Sequence, residues 1–143
     1  MKEWSVRLSS LEAVRLYGMD GRLMVTPPGE PVPLTEGALP LTPASFGLDT
    51  LILDSPPGAR AVLTDPLGRP RVAVTFPGFP YLGLWTADKP FDTGYVCIEP
   101  WSSLPDATFV GRELGDKAGV RRLAPGESET LSYTTEIFTN EKE

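Results

Sequence analysis

Arg71-Val72-Ala73-Val74-Thr75-Phe76 alternates Val72, Val74 and Phe76 with Arg71, Ala73 and Thr75, the period of two expected of a strand with one buried face. Its inward side is aliphatic and aromatic. Just upstream, Ala61-Val62-Leu63 is followed by Asp65-Pro66-Leu67-Gly68. Pro presets φ and Gly accepts a positive φ, so this tetrapeptide reads as a turn. The two runs predict an antiparallel hairpin.

The same punctuation extends in both directions. Sixteen prolines and fourteen glycines cut the chain into short pieces and leave no long window of 3.6-residue apolar periodicity. Strands are predicted at Trp4 to Leu8, Ala13 to Tyr17, Arg22 to Val25, Thr50 to Leu53, Arg60 to Thr64, Arg71 to Phe76, Tyr81 to Trp85, Gly94 to Glu99 and Glu129 to Phe138. Short strands in this number predict an all-β fold, an antiparallel β-sandwich, in one domain over residues 1–143. Residues 26–45 are too proline-rich for a central strand and read as a long connection. We prefer an intradomain loop to a linker, because the roughly 25 residues before it are too few for an independent core. Helix is limited to one turn at Thr42-Pro43-Ala44-Ser45-Phe46, where Thr caps and Pro suits the first turn. The polar residues 139–143 are expected to form a disordered tail.

Composition narrows the function. A formal net charge of −6, from 13 basic and 19 acidic residues, without a dense Lys/Arg cluster, argues against nucleic acid as a partner. No apolar stretch approaches the roughly 20 residues that span a bilayer, and no apolar run follows Met1-Lys2-Glu3-Trp4 as in a signal peptide. No membrane association and a cytoplasmic location are the expectations. Cys97 is the single cysteine; it forms no internal disulfide, and its apolar setting suggests an inert thiol. The chain has no histidine, which removes His-based metal sites and imidazole-dependent triads. No metal and no cofactor are expected.

In Gly94-Tyr95-Val96-Cys97-Ile98-Glu99-Pro100-Trp101 an apolar strand delivers a carboxylate at its end, before a proline that stops the ladder. Alternation puts Cys97, Glu99 and Trp101 on one side and Val96 and Ile98 on the other. A carboxylate beside an indole suits a sugar: the ring C–H face packs on Trp and the acid accepts hydroxyl hydrogens. The plainer reading of Glu99 is an ion pair with an Arg, or a solvated strand end.

Four blocks change this balance. Phe79-Pro80-Tyr81-Leu82-Gly83-Leu84-Trp85, Val96-Cys97-Ile98-Glu99-Pro100-Trp101, Lys117-Ala118-Gly119-Val120 and Leu123-Ala124-Pro125-Gly126-Glu127, in this order, resemble the C-terminal half of the aldose 1-epimerase (galactose mutarotase-like) family, in its LacX-like branch. The resemblance covers residues 79–138, extends more weakly to Pro40-Leu41-Thr42 and to Phe46-Gly47-Leu48-Asp49-Thr50-Leu51-Ile52, and is only general over the first 38 residues. It implies half of a β-supersandwich and a cofactor-free isomerase of carbohydrate metabolism. It gives Glu99 the role of general base toward the anomeric hydroxyl and makes Asp49 a ligand of sugar hydroxyls, with Trp101 lining the site. Trp85 and Phe46 read equally as site or core. The family's acid is a histidine, assisted by a second, both from the first half of a chain about twice as long; neither is present here. Tyr81, Tyr95 and Lys117 are the substitute donors, and nothing in their spacing selects one.

The expected partner is a hexose or a sugar phosphate, with Arg112, Arg121 and Arg122 available to an anionic sugar. The rival readings are a sugar-binding module without turnover, and a truncated or split half that needs an N-terminal-half partner chain or a second copy.

Overall fold

The computed structural model describes residues 3–8, 12–46, 49–87 and 94–139. All pairings between its strands are antiparallel. One five-stranded sheet contains β1 (Ser5–Arg7), β6 (Ala38–Pro40), β8 (Arg60–Thr64), β9 (Pro70–Thr75) and β12 (Thr134–Ile137), in the order β12-β9-β8-β1-β6. The second contains β3 (Leu16–Met19), β4 (Val25–Pro28), β7 (Leu51–Asp54), β10 (Tyr81–Trp85) and β11 (Cys97–Trp101), in the order β11-β10-β7-β3-β4. β2 (Ala13–Val14) and β5 (Val32–Pro33) form a small separate ribbon. The expected all-β sandwich is the fold observed.

Its interior follows from strand parity. Val6, Ala61 and Val74 from the first sheet meet Leu51, Leu53, Leu82 and Leu84 from the second, with Leu8, Leu41, Phe46 and Phe76 filling the space between them. Phe46, one of the residues left between site and core, belongs to the core, at 1% exposure. Phe76 directly follows β9, where the chain passes from one sheet toward the other; its N–H donates to the Ala59 carbonyl at 2.7 Å.

The predicted hairpin is present, with Ala61 opposite Val74 and Leu63 opposite Val72. Its turn is held by Asp65, which accepts the backbone N–H groups of Leu67 and Arg69 and the Arg69 Nε–H. Burial pushes the Asp65 carboxyl up, but the bonds from Arg69 and from the two backbone groups outweigh it and leave its pKa below the ordinary carboxylate value. Stability from this group is therefore full above the unfolded-state pKa of about 3.9 and is lost as pH falls through the lower folded-state value. Asp65→Asn is expected to lower stability at neutral pH and to flatten the acid limb of a stability-against-pH curve measured by urea unfolding.

Several boundaries differ from expectation. The run Ala13 to Tyr17 is divided, because β2 pairs with β5 and β3 with β4 and β7. Arg22 to Met24 lie in a turn, since Asp20 accepts the N–H groups of Arg22 and Met24. The connection at 26–45 contains β4 after its first residue, with β5 and β6. Its prolines are tolerated because β4 and β6 are sheet edges, where a missing N–H leaves no central ladder bond unmade. Pro100 likewise continues β11 rather than ending it, opposite Leu82. Thr42 to Phe46 is a hydrogen-bonded turn, with Ser45 N–H on the Thr42 carbonyl at 3.0 Å. Helix among the described residues is one 3₁₀ turn at Leu114–Asp116. The final strand begins at Thr134, not Glu129. Most of the expected tail, residues 140–143, lies outside the described residues. Among the described residues no helix is long and apolar enough to cross a membrane.

Candidate functional site

The second sheet has one face in the sandwich and one turned outward, and register decides which residues share the outer face. Trp85 lies opposite Cys97, Gly83 opposite Glu99 and Ile52, and Tyr81 opposite Trp101 and Asp54. Directly opposed residues of an antiparallel pair point the same way. Cys97, Glu99 and Trp101 thus share the outer face with Tyr81, Trp85 and Asp54, while Val96 and Ile98 pack on the interior. The predicted alternation of this strand holds.

Glu99 is half-buried and accepts the Trp101 indole N–H at 3.2 Å. Asp49, just before β7, accepts the Trp85 indole N–H at 3.0 Å and the Thr50 hydroxyl at 2.9 Å. Trp85 therefore serves the outer face, where it also meets Tyr95 edge-on at 6.4 Å. Both candidate acids have the same local construction, a carboxylate held by a tryptophan N–H. Trp85 and Glu99 are diagonal neighbours across β10 and β11, a spacing of about 7–8 Å. That brings Asp49, Trp85, Glu99 and Trp101 onto one continuous strip of the sheet.

Gly83 makes the strip possible. A Cβ at this position would stand 2.8 Å from Cε2 and Cζ2 of Trp101, closer than atoms can pack, so the indole lies flat across the strand only because residue 83 has no side chain. Gly83→Ala is expected to displace Trp101, break its bond to Glu99 and cost about 1–3 kcal/mol. Urea unfolding measures the cost, and the indole N–H resonance of Trp101 reports the displacement.

The rest of the face is closed. The segment after β11 crosses it and reaches β4, where Ala107 bridges Val25. Leu104 and Ala107 bury Ile52 and Val25, with Tyr17, Tyr81 and Trp101 around them. Tyr17 donates to Asp54 at 2.9 Å. Burial, then this bond and the Asp54 charge, raise the Tyr17 pKa; burial and Asp54 raise that of Tyr81. Tyr81 is consequently a poor proton donor near neutrality. Burial and the neighbouring Glu99 charge also raise the Cys97 pKa, which keeps it a thiol, as an inert cysteine should be.

The remaining named residues lie elsewhere. Lys117 pairs with Asp106 at 3.3 Å, and both line a groove of about 610 Å³ with Arg22, Met24, Arg112 and Leu114. Glu99 is not among the residues lining that groove. Arg121 bonds the Gly78 carbonyl and Glu129, and Arg122 the Gly115 carbonyl at 3.2 Å; both tie loops together. The Trp–carboxylate bonds and the clearance at Gly83 were missed in the sequence, although a glycine two residues from Trp85 in an otherwise bulky strand was their visible signal.

No family model matches the chain, and no solved structure matches it. A curated relative, "Protein LacX, chromosomal" of Lactococcus lactis subsp. lactis, is 28% identical over 101 residues, which are 71% of this chain and 33% of LacX. The chain thus spans about a third of the length of the relative it matches. The match supports a distant relation to LacX, without assigning this chain to either half of it.

Proposed function

We propose that the strip formed by Asp49, Trp85, Glu99 and Trp101 is a hexose site of the aldose 1-epimerase type, with Glu99 as general base. The observation that carries the reading is the Trp101 N–H bond to Glu99 at 3.2 Å. It fixes a carboxylate at the edge of an aromatic surface and leaves its second oxygen for a sugar hydroxyl. The indole rings take the apolar C–H face of the pyranose, and Asp49 accepts a further hydroxyl. Glu99 removes the proton of the anomeric hydroxyl as a solvent water gives a proton to the ring oxygen. The C1–O5 bond breaks, the open aldehyde rotates about C1–C2, and reclosure gives the other anomer.

Proton delivery to the ring oxygen is the step for which this chain offers no histidine. That absence favours a second reading, a carbohydrate-binding face without turnover, or one completed by a partner chain carrying the acid. Polarimetry of freshly dissolved α-D-glucose and α-D-galactose separates the two. Faster anomerisation that disappears in Glu99→Gln supports the base; binding with no acceleration supports the binding face; neither binding nor acceleration rejects the site.

A further inference from the structure

Four strands bound the two large sheets, β4 and β11 in one and β6 and β12 in the other. Three of them carry proline: Pro27 and Pro28 in β4, Pro40 in β6 and Pro100 in β11. Proline withholds an N–H from any incoming strand and is a common guard of sheet edges. β12, Thr134-Thr135-Glu136-Ile137, has none, and all four residues are exposed.

The face of β12 that belongs inside the sandwich is also open. Thr135 lies opposite Val74 and Ile137 opposite Val72, and Val72 and Val74 belong to the core. Shared parity puts Thr135 and Ile137 on the core side, and the alternation carried back two residues adds Tyr133. Yet Ile137 is 73% exposed and Tyr133 62%. The apolar row of the core side runs past the last strand into solvent.

Backbone polarity completes the edge. The Phe138 N–H donates to the Arg71 carbonyl at 3.0 Å. In an antiparallel ladder the bonded positions alternate, so 134, 136 and 138 bond β9, while 133, 135 and 137 turn their N–H and C=O groups outward.

We propose that β12 is the interface of a homodimer, in which a second copy adds its own β12 antiparallel about a two-fold axis at Thr135. The strand is complementary to itself in this register. Thr135 meets Thr135 of the second copy, and Tyr133 meets Ile137 in two symmetry-related aromatic–aliphatic pairs on the core side. Thr134 meets Glu136 on the other face, where Glu136 keeps its ion pair with Arg60 at 2.8 Å. An axis at Glu136 would instead set two like charges opposite each other, a destabilising arrangement. Such an isologous two-fold contact closes on itself and leaves no free β12 edge for further growth.

Sedimentation equilibrium of the intact chain tests the proposal. The wild type is expected to dimerise. Thr135→Pro deletes an outward N–H without touching the β9 ladder, and Ile137→Lys places a charge in the core-side row. Each should raise the dimer dissociation constant at least tenfold while far-UV circular dichroism is unchanged. If Thr135→Pro does not fold, Ile137→Lys decides alone. The register is read from Thr135→Cys in a Cys97→Ser background. Directly opposed Cα atoms about 5.5 Å apart lie within disulfide reach, so mild oxidation should give a covalent dimer. A wild type that stays monomeric at its solubility limit, a dimer indifferent to Ile137→Lys, or no cross-link at Thr135 would overturn the proposal.

Discussion

Glu99→Gln is expected to lower any catalysed anomerisation of hexose by about 10²–10⁴-fold, the usual share of a general base, with the fold unchanged. The amide retains an oxygen for the Trp101 N–H that Glu99 now accepts at 3.2 Å, so the indole stays in place. What it cannot do is take a proton. Because Glu99 is only half-buried and no cation among the described residues lies within ion-pair distance of it, neutralising it strands no counter-charge among them. Its stability effect should stay within about 0.5 kcal/mol, the range for such surface changes. The signature is therefore a loss of rate in polarimetry beside an unaltered urea transition. A parallel loss of both would make Glu99 a structural residue.

Phe76→Ala carries the largest expected stability effect, about 3–5 kcal/mol by analogy with other fully buried Phe truncations. Phe76 is 0% exposed in the core shared by both sheets, at the point where β9 gives way to the turn leading into β10. Removing the ring opens a cavity that rigid strand backbones close poorly. Against a typical total of about 5–15 kcal/mol, the variant should be marginal at room temperature. Urea unfolding with intrinsic fluorescence gives the number. Loss of less than about 1 kcal/mol would mean that the sandwich interior is packed differently from the description above.

The parts of the fold that were readable in advance are those governed by local alternation. Val72, Val74 and Phe76 face one way because side chains alternate, and Asp65 to Gly68 turn because their backbone preferences agree. Where tertiary position decides, the sequence was less informative. Pro27, Pro28, Pro40 and Pro100 suggested loops or strand ends, yet all lie within edge strands, and nothing local distinguishes an edge from a centre. Glu129 to Tyr133 read as strand but lie before the pairing of β12 with β9. In the site, the shared face of Cys97, Glu99 and Trp101 followed from parity alone. The union of Asp49 with Trp85, 36 positions apart, required the register of β7 against β10. A hydrogen bond between distant residues has no sequence signal of its own.

The most direct test of the sugar site uses the chain's three tryptophans as reporters. Indole N–H resonances of uniformly ¹⁵N-labelled protein, assigned by single Trp→Phe substitutions, are followed during titration with D-galactose or D-glucose. Trp85 and Trp101, whose N–H groups are bonded to Asp49 and Glu99, should shift with saturation, while Trp4, packed against the core, should stay still. Saturable shifts at Trp85 and Trp101 together are the predicted result; no shift with either sugar, or a shift at Trp4 alone, would contradict it.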